Sequence, residues 1–112
     1  MKQPIWVPSQ KQIDRSQMTK FMKYVNLSRH LPLKNYDDLY SWSIKEIPSF
    51  WESLWKFSKV IHSTTYSKVV DDTSKMPGAK WFPDARLNYA ENLLRFSDSK
   101  PAIIFKGENQ NP

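Results

Sequence analysis

In the first third of the chain, apolar residues recur every three or four positions. Met18, Phe21, Met22 and Val25 share one stripe while Lys20, Lys23 and Tyr24 lie elsewhere, which is the period of an amphipathic helix. Ser9 and Gln12 fit a Ser-x-x-Gln capping pattern just upstream, so a helix is predicted over residues 10–27, with a break near Ser16. Before it, Pro4 and Pro8 bracket Ile5 and Trp6; each proline biases its predecessor toward extended geometry, giving an arm whose Trp6 is expected to dock.

A second helix is predicted in "YDDLYSWSIKEI". Tyr36, Leu39, Tyr40, Ser43 and Ile47 share a face, and Asp37 and Asp38 sit in the first turn, where the helix dipole favours carboxylates. Pro48 suits the first turn of a third helix, because its missing N–H would have had no partner there. Within "PSFWESLWKFSKVI" the stripe is Phe50, Leu54, Phe57 and Ile61; Trp51 and Trp55 lie about 100° round, and Glu52 pairs with Lys56 on the far side. One short helix is a poor cover for so many aromatics, so either two elements cover this face or part of it is an interface.

The second half is patterned differently. "TTYSKVVDD" alternates and predicts a short strand or extended piece around residues 66–70. Pro77-Gly78 marks a turn, Pro83 stiffens the chain after Trp81-Phe82, and Asn88 with Glu91 starts a helix over residues 89–96 that is expected to bury Tyr89, Leu93 and Phe96. Residues 102–105 read as a second strand and "KGENQNP" as a hairpin turn that lacks its returning strand, so the chain reads as truncated.

Composition narrows the chemistry. With 39% hydrophobic and 14% aromatic residues the chain has material for a modest core. Mean hydropathy is −0.67, and no apolar run approaches the roughly 20 residues of a membrane span. The first thirty residues lack a secretory signal pattern, and the cytoplasm is the expected location. Seventeen Lys and Arg against eleven Asp and Glu give a net charge of +6, which raises a nucleic-acid reading, but acids are interleaved and no run of five basic residues occurs.

Reactive groups are scarce. Zero cysteines remove thiolate chemistry, and His30 and His62 are read as residues at helix ends rather than metal ligands. Two glycines cannot build a phosphate cradle, no GxSxG elbow surrounds any serine, and Asp71-Asp72 reads as a solvated turn. Trp81-Phe82 beside Lys80 and Arg86 could stack on a base; a hydrophobic anchor for a proline-stiffened loop is the favoured reading. No catalytic, cofactor-binding or metal-binding residue is assigned.

"MPGAKWFPDARLNYAENLL", residues 76–94, resembles the segment near the start of acetoacetyl-CoA synthetases, a branch of the acetyl-CoA-synthetase-like, AMP-forming acid-CoA ligases. "MTKFMKYV", "YDDLYSWSIKEIPSFWESLWKF" and "PAIIFKGEN" resemble the same family in the same order. The signature is Trp51, Trp55, Trp81, Phe82, Pro83, Arg86, Leu87, Asn88, Glu91 and Asn92. Two departures stand out: Asp84 replaces a common glycine, and Ile47 precedes Pro48 where a capping acid is usual.

The resemblance implies a mainly α N-terminal segment, with three to four helices and one or two short strands, of a larger α/β adenylate-forming enzyme. Residues 1–75 would form a helical cap and 76–112 the start of the large lobe. The parent enzyme would join acetoacetate to CoA through an acyl-adenylate, using ATP and Mg, with its reactive motifs outside this stretch. The partner implied is the rest of the ligase; this segment would bind no cofactor and be inactive alone. The alternative from charge alone is a free-standing basic module binding RNA or an acidic protein.

Overall fold

The computed structural model describes residues 4–108. It contains α1 (Gln10–Arg15), α2 (Gln17–Arg29), α3 (Tyr36–Lys45), α4 (Ile47–Phe57) and α5 (Tyr89–Leu93). The first predicted helix is broken where expected. Ser16 ends α1 in an extended conformation and caps α2, its Oγ accepting from Thr19 N at 3.1 Å. Ser9 and Gln12 close a reciprocal capping box at the start of α1. His30 ends α2 in the left-handed region at φ 56°. Asn35, which the helical periodicity does not mark, caps α3 by accepting from Asp38 N at 2.9 Å.

The core lies where α2, α3 and α4 meet. Phe21, Val25 and Leu39 are buried there, with Trp42, Phe50, Leu54 and Phe57 packed around them. Phe21 meets Phe50 and Phe57 edge-on, with ring centroids 5.9 and 5.2 Å away. Arg29, at the end of α2, ties that helix to α4. Its Nε donates to the buried Ser53 Oγ at 3.3 Å, and its Nη2 donates to Ser49 O and pairs with Glu52.

Three expectations are corrected. The third helix stops at Phe57: Lys59 turns left-handed at φ 50°, so Ile61 lies past the helix instead of on its stripe. The last helix is one turn long, and Tyr89, Leu93 and Phe96 are 78%, 64% and 81% exposed, because the described residues place nothing over them. Neither predicted strand forms among the described residues. Residues 66–70 contribute only the isolated bridge Val70↔Trp81, and a second bridge joins Thr64 to Arg86. Residues 102–105 have no strand partner, and a lone extended segment gains nothing from its own backbone groups. The hairpin turn read in "KGENQNP" lies largely outside the described residues.

The surface is large for the mass. A folded 13.3 kDa protein exposes about 6,500 Å², whereas this chain exposes 10008 Å². Its radius of gyration is 18.5 Å, against about 13 Å for a compact domain of this length.

Candidate functional site

The longest chemical feature is a ladder of rings laid along α4. Trp51 and Trp55 are one turn apart, on the side of α4 that α2 leaves open. The segment after α4 folds back over them: Trp81 meets Trp51 at 5.6 Å, and Phe82 meets Trp55 at 4.6 Å with planes 32° apart. Tyr66 meets both Trp55 (5.3 Å) and Phe82 (5.1 Å) edge-on, and His62 lies 5.6 Å from Trp55. Different elements therefore share the wide apolar face of α4, with α2 and α3 on one stripe and this loop on the other.

The loop is held by backbone pairing. Arg86 N donates to Thr64 O (3.0 Å) and Arg86 O accepts from Ser63 N (2.8 Å), while Phe82 N donates to Val69 O (2.7 Å). Pro83, which has no N–H to give, contributes its carbonyl to Ser67 N at 3.1 Å. Phe82 and Asp84 both adopt positive φ, 47° and 70°. A glycine at position 84 would suit that geometry better.

Asp71 organises the turn before Trp81. Its Oδ1 accepts from Lys80 N and Asp72 N, each at 2.8 Å, and its Oδ2 pairs with Lys75 Nζ at 3.0 Å. The Lys80 N–H first, and then the Lys75 ammonium, hold its carboxyl down at about 2. Asp72 accepts from Ser74 N and Oγ, which lowers its pKa as well. Each aspartate is thus committed to its own turn.

Glu52 was expected on the far side of α4, paired with Lys56. That pair exists, at 3.0 Å, but Glu52 is half-buried and also takes Arg29 and the Tyr66 hydroxyl, which donates to Oε1 at 3.2 Å. One carboxylate thus links α2, α4 and the aromatic loop. Its pKa is lowered, by the Lys56 hydrogen bond first and with help from Arg29, although burial opposes the shift. The Tyr66 phenol is raised by burial and then by the negative charge of Glu52. The i,i+4 pairing with Lys56 was visible in the sequence; the links to Arg29 and Tyr66 span 23 and 14 residues and carry no local signal.

The rest of the signature anchors α5. Asn88 caps it, accepting from Glu91 N at 3.1 Å, while Leu87 is half-exposed. Asn92 reaches back to Ile61, and Arg95 Nη1 donates to Ser58 O (2.9 Å) and Lys59 O (2.8 Å). A cation on the carbonyls just past the C-terminus of α4 is favoured by both hydrogen bonding and the helix dipole. Beyond these anchors, Leu93, Leu94, Phe96, Ile103, Ile104 and Phe105 stand 64–89% exposed.

Chemically, this arrangement holds a surface in place. The rings of Trp81 and Phe82 pack on Trp51, Trp55 and Tyr66, as a hydrophobic anchor requires, with Trp81 still 43% exposed. Among the described residues no helix is long and apolar enough to cross a membrane.

The family model for the acetyl-coenzyme A synthetase N-terminus matches residues 36–93, more than half of the chain and the whole stretch from α3 to α5. The chain belongs to this family. It is 38% identical over 107 residues to the acetoacetyl-coenzyme A synthetase of Rhizobium meliloti (strain 1021), covering 96% of this chain and 16% of that protein. Over 80 residues it is 42% identical to the malonamoyl-CoA synthetase of Penicillium aethiopicum, covering 70% of this chain and 11% of that one. Among solved structures, acetoacetyl-CoA synthetase from Streptomyces lividans superposes with a TM-score of 0.73 at 37% identity, over 80% of this chain and 14% of that one. The chain thus spans about one sixth or less of the length of these relatives. The resemblance read from residues 76–94 points to the same proteins, and the reading as a free-standing RNA-binding or acidic-partner module finds no support in them.

Proposed function

We propose that this chain is the N-terminal part of an acetoacetate-CoA ligase, in which it scaffolds and docks and carries no catalytic residue. In that enzyme ATP and Mg would activate acetoacetate as an adenylate, and CoA would take the acyl group, all on residues outside this stretch. Residues 1–75 would cap the large lobe, and residues 76–112 would begin it. The partner is then the remainder of the same ligase, in the cytoplasm.

One observation carries this reading. The chain exposes 10008 Å², only Phe21, Val25 and Leu39 are buried apolar residues among the described ones, and the apolar side chains Leu93, Leu94, Phe96, Ile103, Ile104 and Phe105 have nothing over them among the described residues. Burying a large side chain contributes about 1.5–3 kcal/mol, so evolution toward a free domain would not leave this run open. The relatives named acetoacetyl-CoA synthetase favour acetoacetate as the acid.

The test is complementation. The Streptomyces lividans synthetase lacking its matching segment is assayed for acetoacetate-dependent AMP release with and without this chain. The chain alone should release no AMP and should restore release by the shortened enzyme. Turnover by the chain alone, or no restoration of AMP release by the shortened enzyme, contradicts the proposal.

A further inference from the structure

Arg95 has two kinds of neighbour. Its Nη1 donates to Ser58 O (2.9 Å) and Lys59 O (2.8 Å), the carbonyls at the left-handed turn just past α4. The same guanidinium lies 5.3 Å from the centre of the Phe96 ring, within the reach of a cation–π contact. Phe96 itself is exposed. Beyond it, among the described residues, the side-chain hydrogen bond and ion pair both join Asp98 and Lys100, two neighbours within the tail. Arg95 is therefore the last tie of this kind between the apolar run and the body of the protein.

We propose that Phe96 is the lead anchor by which this chain enters an apolar socket of the ligase large lobe, and that Arg95 is a positioning residue that aims its ring. The inference rests on the ligase reading and deepens it by naming the side chain that carries the docking and the group that prepares it. Two properties set Phe96 apart from the other exposed apolar residues. Large aromatic side chains carry much of the energy where two surfaces meet, and a side chain already held loses less freedom when it docks. Phe105 has the ring but lies ten residues past Arg95, with no such support. Leu93 and Leu94 stand exposed beside Phe96, so the socket that takes the ring meets an apolar rim.

A planar guanidinium suits the task. It can hold carbonyls with its edge while its face meets a ring. Because both carbonyls belong to the turn after α4, the orientation of Phe96 is referred to the helix body and not to the free tail. A role confined to capping α4 would show in stability and leave affinity for the lobe untouched.

The experiment is a double-mutant cycle read by calorimetric titration. The 112-residue chain is titrated into the Streptomyces lividans synthetase that lacks its matching segment. Phe96→Ala should weaken binding at least tenfold, and Arg95→Gln about threefold. In the Phe96→Ala background, Arg95→Gln should weaken it no further. The urea stability lost with Arg95→Gln should be equal in both backgrounds, since the bonds to Ser58 and Lys59 do not involve the ring. In the free chain, the Arg95 side-chain protons should carry a ring-current shift in NMR that Phe96→Ala removes. An Arg95 effect on affinity that persists without the ring, no ring-current shift, or a larger loss from Phe105→Ala than from Phe96→Ala overturns this inference and leaves the ligase reading standing. Failure of the parent chain to bind overturns both.

Discussion

Asn92 grips the backbone of Ile61 from both sides: its Nδ2 donates to Ile61 O at 2.8 Å and its Oδ1 accepts from Ile61 N at 2.8 Å. The same Nδ2 donates to Asn88 O at 2.9 Å, so the residue that fixes the chain after α4 also steadies the start of α5. Thirty-one residues separate the partners, and the grip sets where the exposed run after α5 leaves the body of the protein.

Replacing Asn92 with Ala leaves both backbone groups of Ile61 without partners in a half-buried place, at a cost of about 1–3 kcal/mol. Asn92→Asp should cost as much, because a carboxylate cannot donate to Ile61 O. Urea unfolding followed by tryptophan fluorescence checks this, and an Asp variant as stable as the parent would refute the two-sided grip.

The tilted contact between Trp55 and Phe82, at 4.6 Å, is the closest of the ladder. Trp55→Leu and Phe82→Leu, alone and combined, should show a coupling of about 0.5–1.5 kcal/mol in a double-mutant cycle. Additive losses would mean that the two rings do not support one another.

The link between Glu52 and Tyr66 gives the loop a stability window. The folded pKa of Glu52 lies below its ordinary 4.5, so its contribution is present above pH 4.5 and is lost as pH falls through the lowered value. Asp71 behaves alike, losing its contribution between 3.8 and about 2. The Tyr66 pKa lies above its ordinary 10.0, so its contribution is whole below pH 10 and is lost as pH rises through the raised value. Stability against urea should be flat between these limits and fall on both sides, and Tyr66→Phe should flatten the alkaline edge. An alkaline edge unchanged by Tyr66→Phe would refute the assignment.

At φ 70°, Asp84 occupies a region that costs a residue with a Cβ about 1–2 kcal/mol, somewhat less for aspartate. Asp84→Gly should raise the urea midpoint slightly, by at most about 1 kcal/mol of stability after the entropy of the unfolded chain is counted. A fall in the midpoint would place the aspartate side chain in a role of its own.

Legibility in the sequence followed the range of the forces involved. The break at Ser16, the Ser9–Gln12 box, the cap at Asn88 and the stripe of α4 are set by neighbours within one turn, and each is visible as a spacing. Glu52, Arg29 and Arg95 act across 14 to 37 residues, so their partners could not be read from any local pattern. Strands at 66–70 and 102–105 failed for a related reason: alternation prepares a face, but a strand exists only where a second chain segment accepts its backbone. The same limit explains Tyr89, Leu93 and Phe96, whose period is helical and whose cover is not among the described residues.

The central claim is that the exposed run from Leu87 to Phe105 is made to be covered by the rest of a ligase. Amide hydrogen exchange over residues 87–105 tests it most directly, measured on the chain alone and on the chain bound to the Streptomyces lividans synthetase that lacks its matching segment. The account predicts near-random-coil exchange at residues 96–105 alone, with slowing of at least a hundredfold there on binding, while the amides of α2 and α4 change little. Strong protection of residues 96–105 in the isolated chain, or no added protection in the complex, would contradict it.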